Sequence, residues 1–294
     1  MVQLKRVRKG SKEYYYLVHS YREGKFVRKK QVYLGDNFPK DLKEKKKKFM
    51  QEFYKERFIG DLDRIKKNFV VEYKHLPETA RGKSKENFAI KFTYNTQRIE
   101  GSTLTLKETS NLLERGITPS LRSLEDVKEA EAHKKLFFEV LNYKKDLNLR
   151  VILEWHKKLM IETKKDIAGK IRNHNVEIAR SKFKPPMYLE LDTFLREFFE
   201  WYNKEKNKIH PVELAALVHL RFVTIHPFTD GNGRISRLIM NFILKKHKFP
   251  LLDISYTKRA SYYNALERAQ TKKEENIFIQ WFFRRYLDEY KSYL

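Results

Sequence analysis

Twelve consecutive residues, His226-Pro-Phe-Thr-Asp-Gly-Asn-Gly-Arg-Ile-Ser-Arg237, gather one imidazole, one acid, two glycines and two arginines. Gly231 and Gly233 permit positive φ and close backbone approach. The N–H groups of this turn, with Asn232 between the glycines and a helix N-terminus following, form a cradle for an anion. Arg234 and Arg237 are three apart, hence on one face of that helix's first turn. Cations there oppose the helix dipole. An anion between the cradle and both guanidiniums removes the conflict, and a polyphosphate suits the bidentate fork of arginine best. Asp230 beside such an anion fits Mg²⁺, which takes one or two carboxylates plus phosphate oxygens. His226, titrating near neutrality, is suited to take a proton from a hydroxyl. Singly, these residues read as a core histidine, an ordinary turn and surface charges. Together they point to one phosphate-handling site.

Two apolar helices must hold this loop. PVELAALVHLRFVTI (211–225) starts with a proline suited to a first helical turn and is apolar nearly all round, which places it in the centre of a domain. ISRLIMNFILKKH begins just after the glycines. Upstream, helical spacing runs through FYKERFIGDLDRIKKNFVVEYK, with Pro77 and Gly82 as punctuation, and KENFAIKFTYNTQRIE stops at Gly101. Thr105 and Glu108 have capping-box spacing, so a helix starts there and ends by Gly116 and Pro119. Further helices are predicted over 123–143, 149–162 and 189–203. Residues 168–187 break the pattern, and Pro185-Pro186 forbids a helix; an ordered β-hairpin is expected.

The N-terminal segment reads differently. YYYLVHSY (14–21) and FVRKKQVYL (26–34) flank REGK, a hairpin signal. The run 43–48, rich in lysine, is a linker or a solvated helix start, and a boundary is placed near residue 48. The expected organisation is a basic β-hairpin module over 1–48 and a helical domain over 49–294. The fold class is mainly α.

The 294 residues carry a net charge of +25, which favours phosphate-bearing or polyanionic partners. Residues 1–50 hold 16 Lys and Arg against 5 Asp and Glu, nearly half of that surplus. Cysteine is absent, which excludes disulfide and thiol chemistry. No apolar run of membrane-spanning length and no apolar leader occurs, so a cytoplasmic protein without a membrane partner is expected. High Lys content without Cys also fits a heat-adapted protein.

The motif resembles the Fic signature, His-x-Phe-x-Asp/Glu-Gly-Asn-Gly-Arg-x-x-Arg, at every defined position. Gly169-Lys170-Ile171-Arg172, the following Val176-Glu177-Ile178 and Pro185-Pro186 extend the resemblance, which covers most of the chain beyond about residue 85. It implies a Fic-type helical bundle with a β-hairpin flap, and transfer of AMP from ATP to a Ser, Thr or Tyr hydroxyl of a target protein. His226 would be the base, Asp230 would hold Mg²⁺, and Gly231, Asn232 and Gly233 would form the anion hole. Arg234 and Arg237 would bind the β- and γ-phosphates. Gly169, Arg172, Val176 and Ile178 would belong to the flap that holds an extended target segment. Tyr262 or Tyr263 would contact the nucleotide base. Thr96-Gln-Arg-Ile-Glu100-Gly101 resembles the family's inhibitory motif, on a helix near 88–100, in which the glutamate pairs with the second motif arginine and blocks the γ-phosphate site.

Other readings stay open. The same glutamate can orient a water to remove AMP, and UMP or phosphocholine transfer occurs on related sites. Residues 1–48, basic and rich in tyrosine, suit nucleic acid as partner of a regulatory protein carrying a weakly active Fic domain. They equally suit an edge that packs on the helical domain or pairs with another subunit in a homo-oligomer. A metal hydrolase has little support, because His210 and His219 show no ligand spacing to His226 and Asp230.

Overall fold

The computed structural model describes residues 2–23, 25–179 and 181–294. The chain divides into two units, Met1–Leu62 and Asp63–Leu294. In the first, strands β1 (Gln3–Lys9), β2 (Lys12–Glu23) and β3 (Phe26–Gly35) form an antiparallel sheet in the order β1-β2-β3. The hairpin predicted across 22–25 is the β2–β3 pair. β1 was not anticipated. QLKRVRK has no apolar alternation, and the strand owes its form to pairing along β2 after a turn at Gly10, whose φ is +63°. Helix α1 (Leu42–His75) begins one residue before the lysine run and carries all of it. Its Phe53 packs on His19 and Tyr21 of β2, with ring centroids 4.8 Å apart in both cases.

The second unit is helical: the rest of α1, then α2 (Glu78–Ile99), α3 (Leu106–Arg115), α4 (Leu124–Asn142), α5 (Leu149–Met160), α6 (Leu191–Glu205), α7 (Pro211–Ile225), α8 (Asn232–Lys246), α9 (Arg259–Lys272) and α10 (Glu275–Glu289). Gly82 does not punctuate as predicted. It lies in the first turns of α2, where a single glycine costs only about 1 kcal/mol and is outweighed by the packing of the rest of the helix. The capping box holds: Thr105 Oγ1 accepts from the Glu108 N–H, and the Glu108 carboxylate accepts from the Thr105 N–H. Gly116 ends α3 in the left-handed region, as its position suggested. Asn148 caps α5 and Ser123 caps α4 through N–H groups three residues on.

Helices α7 and α8 form the central pair, buried nearly all round, with α6 and α10 against α7 and α4, α5 and α2 against α8. The loop 226–231 that joins the pair is therefore held in the core. The β-hairpin expected over 168–187 is corrected: among its described residues there is no strand. Its backbone finds partners elsewhere, since the Arg172 N–H donates to the Pro227 carbonyl at 2.9 Å. Pro185 and Pro186 offer no N–H to a ladder.

Candidate active site

Pro211 starts α7 without wasting an N–H, and the helix runs until His226, which adopts the left-handed conformation with φ +53°. This reversal turns the imidazole back along the helix end, where Nδ1 lies 3.2 Å from the Val223 carbonyl. A carbonyl only accepts, so Nδ1 carries the proton and Nε2 is left as the basic nitrogen. Burial holds the His226 pKa below its ordinary value, with the Val223 bond opposing and Arg172 reinforcing the shift. The imidazole is thus neutral at pH 7, the form that accepts a proton.

The loop is closed by two bonds between one side chain and one backbone unit. The Phe228 N–H donates to Asn232 Oδ1 at 2.9 Å, and Asn232 Nδ2 donates to the Phe228 carbonyl at 2.7 Å. The Asn232 side chain thereby builds the turn, and its backbone N–H stands at the start of α8. Phe228 stacks on His156 at 3.7 Å. His156 Nδ1 accepts the Gly169 N–H at 2.9 Å, so its Nε2–H donates to the Asp230 carbonyl at 3.0 Å. Burial drives the His156 pKa down to about 4, which keeps this neutral tautomer. Gly231 has φ +83°, and a Cβ there would lie 2.5 Å from Met160 Cε. The positive φ favours glycine here, and any side chain would also have to displace the end of Met160.

The charges interlock around this turn. Arg234 is 2% exposed; it bonds Glu129 and, at 2.9 Å, Asp230. Lys164 Nζ reaches the other Asp230 oxygen at 2.6 Å and also pairs with Glu125 and Glu129. Burial opposes ionisation of Asp230, but Arg234 and Lys164 outweigh it and hold the pKa at about 2. Arg237 is 1% exposed. Its guanidinium bonds the Glu100 carboxylate and donates to Thr96 Oγ1 at 3.3 Å, the Thr96 carbonyl at 3.4 Å and the Tyr262 hydroxyl at 3.4 Å. Burial acts against the Arg237 charge, and Glu100 more than restores it, leaving the pKa raised.

Glu100 caps the C-terminus of α2, and Gly101, with φ +109°, turns the chain away. The carboxylate lies directly over Gly233: a Cβ built there would fall 2.2 Å from Glu100 Oε1. A carboxylate therefore occupies the mouth of the cradle that the sequence assigns to an anion.

The structure brings His226, Asp230, Gly231, Gly233, Arg234, Arg237, Thr96 and Glu100 into one site. Arg172 is buried beneath it. It donates to the carbonyls of His226 at 2.9 Å, His174 at 2.8 Å and Pro186 at 2.6 Å, so it clamps the 168–187 segment against the histidine. Gly169 packs on α5, where a Cβ would fall 2.9 Å from Lys157 Cβ. Val176 and Ile178 are half-buried in that segment. Tyr262 is buried, its hydroxyl 2.8 Å from His219 Nε2. Tyr263 is exposed, and its hydroxyl donates to the Ile99 carbonyl at 3.0 Å, just before Glu100. Sequence reasoning missed Glu129, His156 and Lys164. His156 carried a signal, a polar residue on the apolar face Ile152-Trp155-Leu159 of α5. Glu129 and Lys164 carried none, because their partners lie 105 and 66 residues away.

Fold and site together define a helical protein with a glycine turn, flanked by two buried arginines, set between two buried helices. Residues 146–244 match the Fic/DOC family, and the chain belongs to that family. It is similar to "Protein adenylyltransferase Fic" of Drosophila willistoni, 31% identical over 218 residues, 73% of this chain and 43% of that protein. The counterpart in Drosophila mojavensis is 32% identical over 218 residues, with the same coverage. The chain thus spans less than half the length of these curated relatives. Among solved structures, a Fic domain containing signaling protein from Bacteroides thetaiotaomicron is 28% identical, covers 78% of this chain and 91% of its own, with a TM-score of 0.67. A segment of Fic-1 from C. elegans is 25% identical, covers 86% of this chain and 75% of its own, with a TM-score of 0.73. No helix among the described residues is long and apolar enough to cross a membrane.

Proposed function

We propose that this chain is a protein adenylyltransferase held in an inhibited state by Glu100. The observation that carries the reading is the pairing of a fixed basic nitrogen with an anion cradle: His226 Nε2 is left basic by the Val223 bond, one loop away from the Gly231–Gly233 turn and two buried arginines. ATP fits that cradle with its phosphates along the start of α8, toward Arg234 and Arg237. A target hydroxyl oxygen attacks the α-phosphorus while its proton passes to His226 Nε2. The bond from the α-phosphorus to the bridging oxygen breaks, and pyrophosphate leaves with the electron pair. Fixed N–H groups and guanidiniums stabilise the charge on the phosphoryl oxygens without reorganisation. The 168–187 segment, which Arg172 clamps beside His226, would hold the target chain.

Asp230 suits Mg²⁺: it stays ionised, and its outer oxygen already takes a cationic partner in Lys164. A bound Mg²⁺ would neutralise phosphate charge at that position. The relatives named as adenylyltransferases support AMP as the transferred group. A second reading, removal of AMP from a modified protein, draws on the Glu100 carboxylate over Gly233, which is placed to orient a water.

The test uses ATP labelled at the α-phosphorus in the Glu100→Gly background, where the cradle is open. Transfer to the protein itself or to added lysate is expected, and adding His226→Ala should reduce it at least about a hundredfold with ATP still bound, the usual scale for losing a general base. Transfer that survives His226→Ala would remove the histidine from the reaction, and the absence of any transfer in Glu100→Gly would overturn the adenylyltransferase reading.

A further inference from the structure

The first unit carries a second surface that the transfer reaction does not use. In the β2 ladder, odd-numbered residues face α1: Tyr15 and Leu17 are buried, and His19 and Tyr21 meet Phe53. The even-numbered residues face away, and the register fixes their neighbours. Lys5 pairs with Tyr16, Val7 with Tyr14 and Lys9 with Lys12 on the β1 side; Tyr33 pairs with Tyr16, Gln31 with Val18 and Lys29 with Ser20 on the β3 side.

The outward face therefore centres on three tyrosines, with Tyr33 in ring contact with both Tyr14 and Tyr16. The Tyr33 ring lies 5.2 Å from that of Tyr16 and 6.2 Å from that of Tyr14, and Tyr33 is 52% exposed. Four exposed lysines, Lys5, Lys9, Lys12 and Lys29, frame the tyrosines on both sides. Among the described residues one carboxylate stands beside this face, Asp36 just past β3, near enough to act on the Tyr33 hydroxyl; Glu13 points to the other face, where it holds Arg6 and the Tyr15 hydroxyl. Lysines kept only for solubility would be interspersed with acids. A face with four lysines against one acid at its margins and aromatic rings at its centre complements a polymer with a phosphate backbone and flat bases.

We infer that the outward face of the β1-β2-β3 sheet binds single-stranded nucleic acid, with bases stacking on Tyr14, Tyr16 and Tyr33 and phosphates on the four lysines. A single strand is favoured over a duplex because paired bases hide the π-faces that the rings would stack on. The proposal is independent of the transfer chemistry, since none of these residues belongs to the His226 site.

The test is fluorescence anisotropy with the full chain and three labelled probes: a twelve-nucleotide oligo(U), the matching oligo(dT), and a twelve-base-pair duplex. Both single strands should bind more tightly than the duplex, and the stronger of the two identifies the preferred sugar. With four lysine–phosphate contacts, log K should fall against log[salt] with a slope of about −3, at roughly −0.7 per phosphate. Tyr33→Ala should weaken binding by about 5- to 150-fold, the range for losing one stacked base, at unchanged salt slope. Lys5→Gln with Lys29→Gln should instead flatten the slope by about 1.4. This separation of affinity from slope is one that a folding defect does not produce. Should Tyr33→Ala misfold, Tyr33→Phe is expected to bind as wild type and Tyr33→Ser, at this exposed position, to show the loss. Absence of binding at 50 mM salt, affinity indifferent to Tyr33, or a duplex bound at least as tightly as the strands would each overturn the inference.

Discussion

Replacing Glu100 with glycine should turn the protein on. Arg237 is buried, and among the described residues its one anionic partner is Glu100; its bonds to Thr96 and Tyr262 are neutral and long, at 3.3 to 3.4 Å. A charge-assisted bond of this kind is worth roughly 1.5–3 kcal/mol. The Glu100 side chain is still 28% exposed, so water screens the pair and the lower half of that range applies. At about 1.4 kcal/mol per factor of ten, the productive ATP complex should become about ten- to fortyfold more populated, and more so where the carboxylate also repels the γ-phosphate. The assay is the initial rate of self-modification with α-labelled ATP at saturation, wild type against Glu100→Gly. ADP binding, followed by calorimetry, should change much less, because ADP presents no γ-phosphate to compete for Arg237. Glu100→Gly also leaves a buried guanidinium uncompensated, so its melting temperature should fall without ligand and recover on adding pyrophosphate. Equal transfer rates in the two proteins, with no recovery by pyrophosphate, would refute the inhibitory role and leave Thr96–Gly101 as an ordinary helix end.

Lys164→Met should tighten Mg²⁺ binding in the presence of ATP severalfold by calorimetry, because it frees the outer oxygen of Asp230 from a competing ammonium; unchanged or weaker Mg²⁺ affinity would show that Lys164 does not compete for that oxygen. Acid should destabilise the fold well before its carboxylates titrate. Burial depresses the pKa of His133 and His219 to about 3 and of His156 to about 4. All three stay neutral in the folded chain while the unfolded chain protonates below pH 6.5, so stability is complete above 6.5 and falls as pH drops toward 4. Each unit of difference is worth about 1.4 kcal/mol per group, hence a loss of several kcal/mol. Urea midpoints measured from pH 7.5 to 4.5 check this, and a flat profile would contradict it.

Whatever depends on neighbours along the chain was legible before folding. Pro211, the capping box at Thr105–Glu108 and the Gly116 stop are local devices, legible because a cap and its partner lie within one turn. The loop 226–237 is local in the same sense: its glycines, acid and arginines must stand at set spacings to build a cradle at a helix start. The 168–187 segment misled, since its β-like residues take no strand partner and its backbone and Arg172 are satisfied across the fold by the His226–Pro227 turn. β1 went unseen because its pattern is charged and its strand state comes from β2. Which charges meet is a matter of packing. Arg234 and Glu129 stand 105 residues apart, Arg237 and Glu100 137 apart, and His156 and the Asp230 carbonyl 74 apart. Buried charges demand partners, but that demand names no particular residue. The packing of α2, α4 and α5 around α8 selects it, by bringing these side chains within bonding distance of one helix N-terminus.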